Sequence, residues 1–234
     1  MKVTVTLSAN AGVAIHIGGY RIWVDALHTN KQTGFSAVDI TLQKRMLRCE
    51  AFEKPDLIVC THCHPDHFSA LLVDSAKKLW PNARILLPEK HFADQILING
   101  NEFIHKYEEM LLRFVRLPHD GEQYRDCIHY GLLITACGKS VLIPGDCKTA
   151  AAELAQMIDG QQIDLALLNF PWLTLKRGQR FVDELLKPSQ ILLYHLPFAQ
   201  DDTSGYRDAA GRAAQGRENT QLLCDPLQCI ELEL

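Results

Sequence analysis

The chain has 234 residues, 47% of them hydrophobic and 22% charged, with a formal net charge of −4. This is the make-up of a soluble globule, long enough for one well-buried domain over residues 1–234. The acidic balance gives no generic polyanion-binding surface, so a nucleic-acid partner is not expected. No run of about 18 apolar residues occurs, so no membrane span is expected. The start M-K-V-T-V-T-L-S alternates like a strand rather than a signal peptide. Eight cysteines are scattered without a framework spacing, which is read as reduced thiols in a cytoplasmic protein.

Val3–Leu7, Val13–Ile17 and Arg21–Val24 form an expected antiparallel meander, turning at Gly18-Gly19. A short buried strand follows at Asp56–Cys60, then a helix at Ala70–Leu79 and a strand at Ala83–Leu87. Helices are expected at His91–Ile98 and Glu102–Leu112, and an extended segment at Arg113–Leu117. Gly131–Thr135 and Ser140–Ile143 make a hairpin around Gly138. Beyond it, helices at Ala150–Ile158, Gln179–Leu186 and Arg207–Gln215 alternate with strands at Asp164–Asn169, Gln190–Tyr194 and Gln228–Leu234. A meander followed by alternating strands and helices, with no linker and no repeat, predicts an α/β layered core of sheet on sheet with helices outside.

The chemistry concentrates in T-H-C-H-P-D-H-F, residues 61–68, which follows the strand at Asp56–Cys60. On extended backbone, side chains alternate, so His62 and His64 point to the same side, about 7 Å apart along the chain, and can converge on one metal ion. Pro65 favours a turn or a helix start, which aims Asp66 and His67 back over the strand end, a pair suited to a second metal. Packing gains nothing from three crowded imidazoles, which repel one another when protonated.

H-x-H-x-D-H after an apolar strand resembles the signature of the metallo-β-lactamase-fold superfamily. The resemblance extends from about Asp25 to His195, and the order of short motifs, with Leu-Tyr-His-Leu-Pro near the end, loosely resembles compact bacterial members related to the L-ascorbate-6-phosphate lactonase group. It implies a four-layer αβ/βα sandwich with two transition metals at its edge. Asp146 of the strand-ending Gly145-Asp146 would bridge the metals, and His195 would be the last ligand. For the third motif, His119 fits the pattern of strand, histidine, loop and apolar strand better than the alternative, His129. Asp25 would accept a hydrogen bond from a metal-bound histidine. His62, His64 and His119 would then hold one metal, and Asp66, His67 and His195 the other. His16, His28, His91 and His105 match no such context and are assigned no chemistry.

Mixed imidazole and carboxylate ligands imply two divalent ions, zinc first, with manganese or iron tolerated. A bridging water between them would have its pKa lowered to roughly 7, giving hydroxide at neutral pH, with Asp66 orienting it. The expected activity is hydrolysis of a small-molecule ester, lactone or phosphodiester. Two other classes stay open: a di-iron redox protein on the same frame, and a metal-stabilised binding protein without catalysis. The segment Asp201–Tyr206 is read either as part of the cleft or as a polar surface loop.

Overall fold

The computed structural model describes residues 1–29 and 34–234. The chain forms β1 (Lys2–Leu7), β2 (Val13–Ile17), β3 (Tyr20–Val24), α1 (Ile40–Met46), β4 (Leu57–Val59), α2 (Ala70–Leu79), β5 (Arg84–Leu87) and β6 (Ile96–Leu97). It continues through β7 (Glu102–Tyr107), β8 (Met110–Arg116), β9 (Tyr130–Ala136), β10 (Lys139–Ile143), α3 (Ala152–Ile158), β11 (Leu165–Asn169), α4 (Pro171–Thr174) and α5 (Lys176–Phe181). The last elements are β12 (Gln190–Tyr194), α6 (Tyr206–Ala214), β13 (Thr220–Leu222) and β14 (Cys229–Glu233).

Two sheets face each other, in the orders β14-β1-β2-β3-β4-β5-β6 and β13-β12-β11-β10-β9-β8-β7. Each combines an antiparallel meander with a parallel run: β3 to β6 in one, β10 to β13 in the other. Strand β12 shows how the layers arise. Leu192 and Tyr194 join the core between the sheets, whereas Ile191 and Leu193 pack outward against Trp172, Phe181 and Leu186 of the helical layer. A strand covered on both faces reads as a continuous apolar run, which is why Ile191–Tyr194 has no polar alternation. On the other sheet, Trp23 packs edge-on against Trp80 beside the C-terminus of α2, ring centroids 5.1 Å apart. With α1 and α2 over one sheet and α3 to α6 over the other, the architecture is the expected α/β sandwich. No helix of the described residues is long and apolar enough to cross a membrane, and all eight cysteines are free.

Two expected helices are absent. Residues 102–112 lie in an antiparallel hairpin of β7 and β8, with Phe103 opposite Phe114 and the turn at Glu108 in a left-handed conformation (φ 51°). The apolar residues of this segment satisfy both periods. Pairing selects the strand: β7 lies at the sheet edge against β8, which itself pairs with β9, and Phe103, His105 and Tyr107 share the half-buried face. At residues 91–98, the Gln95 Oε1 accepts from the backbone N–H of His91 and Phe92, both at 2.7 Å, and Ile96–Leu97 pairs with β5. The side chain takes donors that a first helical turn would have presented, and the chain closes as a loop.

Candidate metal centre

The candidate site lies where β3, β4, β10, β11 and β12 end. Strand β4 stops at Val59, and Thr61 is then anchored to Asp25. Its N–H donates to Asp25 Oδ1 at 2.8 Å and its hydroxyl to Oδ2 at 2.7 Å. Asp25 follows β3 with φ 52°, a left-handed backbone that aspartate tolerates better than most residues, and it is fully buried. Its Oδ2 also accepts from His67 Nδ1 at 3.1 Å. With the Thr61 proton given to Asp25, the hydroxyl oxygen is left to accept from His62 Nδ1 at 3.0 Å. Asp25 thus sets the tautomers of His62 and His67, one through Thr61 and one directly, so that each neutral ring carries its lone pair on Nε2.

Pro65 occupies a turn in which the N–H groups of His67 and Phe68 donate to His64 O, both at 2.9 Å. This swings His67 under the extended pair, so that the His62 ring lies 4.6 Å from His64 and 4.0 Å from His67. The segment carrying His119 is pinned beside Asp146. Asp120 N–H donates to Asp146 O and Lys148 N–H to Pro118 O, both at 2.8 Å. His119 Nδ1 donates to Asp120 O at 2.6 Å, which again frees Nε2. His195 follows β12 with φ 57°, a second left-handed strand end at the site. Such backbone persists where surrounding contacts hold it, and it concentrates at functional sites.

Four imidazoles converge on Asp146. Its Oδ2 lies 3.9 Å from His62 Nε2, 3.3 Å from His67 Nε2 and 3.7 Å from His119 Nε2, and its Oδ1 lies 3.3 Å from His195 Nε2. All four Nε2 atoms are buried and have no hydrogen-bond partner, an arrangement that proteins avoid unless another group completes it. Ligand atoms lie within 4.8 Å of one another in each of three groups: His62, His64 and His119; His62, His67 and Asp146; and Asp66, His67 and His195. The donor set, imidazole with carboxylate, fits zinc or a similar transition metal.

The charges agree with that fit. Burial, reinforced by His67, holds His62 well below the usual histidine range, and burial followed by His119 lowers His64. Burial also disfavours the charged form of His67, but Asp146 and Asp25 outweigh it and raise His67 well above the usual range. Burial likewise opposes ionisation of Asp146, and His67 and His195 override it. A proton on His67 therefore balances two carboxylates, and a bound cation would displace it, since imidazole ligands must be deprotonated.

His129 takes a different place. It is fully buried, donates from Nδ1 to Leu117 O at 3.2 Å, and packs behind His62 with centroids 5.1 Å apart. Among the described residues it joins none of the three ligand groups. Its Nε2 rests against Gly145, where an added Cβ would come within 2.6 Å of it. Because Gly145 also has φ 61°, Gly145→Ala is expected to destabilise the protein by at least about 2 kcal/mol. Urea denaturation checks this, and a change within about 0.5 kcal/mol would show that the His129 layer yields freely.

A cavity of about 210 Å³ opens beside Asp146, lined in part by Phe35, Thr149, Asn169, Phe170 and His195. Asn169 Nδ2 donates to Asp146 Oδ1 at 2.8 Å. On the opposite flank Tyr124 covers both His64 and His119, with centroids at 4.9 and 4.7 Å.

No family model and no curated protein matches the chain by sequence. Solved structures do match by shape. YhfI from Bacillus subtilis, described as a metallo-β-lactamase fold protein, is 13% identical, with all of both chains covered (100% of each) and a TM-score of 0.68. The chain has the metallo-β-lactamase fold. Igni18 from Ignicoccus hospitalis, described as a novel metallo hydrolase, is 16% identical over 100% of both chains, with a TM-score of 0.67. CmlA from Streptomyces venezuelae, described as a diiron β-hydroxylase, is 14% identical, covering 99% of this chain and 54% of that one, with a TM-score of 0.66.

In this metallo-β-lactamase fold the structure brings together His62, His64, Asp66, His67, His119, Asp146 and His195, sets Asp25 beneath them, and leaves His129 behind. Sequence reasoning did not reach Thr61, Asn169, Phe35 or Tyr124. Asn169 carried a signal, since it ends a buried strand as Asp25, Asp146 and His195 do. The aromatic residues carried none, because they come from loops and short turns.

Proposed function

We propose that the chain is a hydrolase working with two divalent metal ions on a small ester, lactone or phosphodiester. The observation that carries this reading is the convergence of four buried, partnerless Nε2 atoms on Asp146. His62, His64 and His119 would hold one ion, Asp66, His67 and His195 the other, and Asp146 would be shared. When bound, such ions supply Lewis acidity, lowering the pKa of water toward roughly 7 and stabilising a leaving oxygen. Zinc suits the donor set best, with manganese or iron tolerated.

The chain's own residues hold this arrangement ready. Asp25 and Thr61 keep His62 and His67 aimed at the centre, and Asn169 holds Asp146 by its amide. Asp66 is almost fully buried and offers a carboxylate to orient the attacking water and take its proton. Tyr124 shields the flank of His64 and His119 from bulk water. A cytoplasmic location and a small-molecule substrate belong to the same reading.

Similarity to CmlA favours a second reading, a di-iron redox centre on the same residues. One experiment separates them: metal content by mass spectrometry, the visible spectrum, and hydrolysis of bis(p-nitrophenyl) phosphate and a small lactone with and without chelator. The expected result is about two colourless ions per chain and chelator-sensitive hydrolysis. Iron with visible absorbance and no hydrolysis would favour redox. Well-folded protein that takes up no zinc, manganese or iron would sink both readings.

A further inference from the structure

The cavity beside Asp146 has three chemically different walls. One is aromatic: Phe35 and Phe170 line it, and Tyr206 stacks between them, on Phe35 at 5.6 Å and 27° and on Phe170 at 4.8 Å and 28°. Phe35 also meets His195 edge-on at 5.1 Å, so the column borders the metal centre itself. The second wall is Asn169. Its amide nitrogen is committed to Asp146, which leaves Oδ1 as a buried acceptor without a partner. The third is Thr149, with a cation held behind it. Thr149 is 5% exposed and accepts from Arg177 Nε at 2.7 Å, and Arg177 Nη2 lies 3.7 Å from Asp120 Oδ1. Held between two residues that line the cavity, the half-exposed guanidinium keeps most of its donors free.

Asp146 lines the cavity as well as Asp120, but it is the carboxylate the proposed ions would share, which leaves Asp120 against Arg177, Lys148 and Lys176. Lys148 and Lys176, the chain neighbours of Thr149 and Arg177, are exposed and carry no ion pair among the described residues. A flat apolar wall, a single acceptor and a pre-oriented guanidinium together suit one kind of ligand. We infer that this cavity takes the part of the substrate remote from the scissile bond, a planar ring bearing an anionic group, with Thr149 and the guanidinium of Arg177 behind it selecting the anion, and Phe35 and Phe170, braced by Tyr206, selecting the ring. The assignment of this part to a substrate rests on the hydrolase reading, whereas the binding itself does not.

The test uses naphthalene-2-sulfonate, with ring and anion, and 2-naphthol, with ring and no anion. Calorimetry is run on wild type, Arg177→Gln and Arg177→Lys, with thermal unfolding as the control for folding. Arg177→Gln is expected to weaken the sulfonate at least about tenfold, the loss of a charge-assisted contact, and to leave 2-naphthol unchanged. Arg177→Lys, which keeps the charge and loses the fork, should fall between. The sulfonate should also compete with bis(p-nitrophenyl) phosphate. Binding that does not depend on Arg177, no binding by wild type, or binding without competition would each overturn the inference. Absent hydrolysis with Arg177-dependent binding intact would instead count against the hydrolase reading alone.

Discussion

Asp146→Asn is expected to lower hydrolysis more than about 100-fold and to reduce the metal held per chain. Losing a hydrogen-bond partner that merely orients a ligand costs about 10- to 100-fold in affinity or activity. Asp146 stands closer to the centre than such a partner. Its two oxygens lie within 3.3–3.9 Å of four imidazole nitrogens drawn from both halves of the site. Asparagine keeps the shape but removes the charge, and it places an amide where Asn169 already donates. The substitution also removes the first of the carboxylates that raise His67, so the His67 imidazole should titrate lower in the metal-free variant, a change visible by NMR. Metal content and kcat/KM are measured together, with circular dichroism as the control for folding. A folded Asp146→Asn protein with full metal content and activity would remove Asp146 from the centre.

The parts of the site legible in the sequence are those carried by a strand end. His62, His64, Asp66 and His67 sit within one loop, so local geometry brings them together without knowledge of the rest of the fold. Asp146 and His195 close apolar strands, and parallel pairing from β10 to β12 then carries these two residues to one edge. Choosing between His119 and His129 needed more than spacing. His119 reaches Asp146 while His129 rests against Gly145, and the first follows from the pairing of residues 118–120 with 146–148. The misread segments failed for a physical reason. In residues 102–112 the apolar residues fit a helix and a strand equally, and the choice is made by pairing across β7, β8 and β9, which the periodicity of one segment does not contain. The ring column was invisible because Phe35 and Phe170 come from two separate connections between elements and Tyr206 from the first turn of α6.

Acid is expected to unfold the metal-free protein well before its carboxylates are protonated, because His28 and His129, like His62, are buried neutral. Burial lowers His28 to about 4 and His129 to about 3. His28 is fully buried with Nε2 donating to Ala9 O at 3.1 Å, and His129 donates from Nδ1 to Leu117 O. In the unfolded chain both take up protons near pH 6.5, so between that pH and the folded values the unfolded state binds more protons and stability falls with pH. The loss is roughly 3–5 kcal/mol for each group when the whole window is crossed, a large share of a typical total of about 5–15 kcal/mol. Asp146 does not counter this, since its depressed pKa contributes stability above the ordinary carboxylate range and loses it only as pH falls further. His67 acts in the other direction. Its raised pKa contributes stability that is full below about pH 6.5 and is lost as pH rises through the folded value. Replacement by amides of matching reach separates the two histidines: His28→Gln mimics the Nε2 donor and His129→Asn the Nδ1 donor. Each is expected to flatten the fall in stability between about pH 6.5 and 4, whatever it does to stability at neutral pH. Urea melts at several pH values give the slope directly, and slopes unchanged from wild type in both variants would place the acid sensitivity elsewhere.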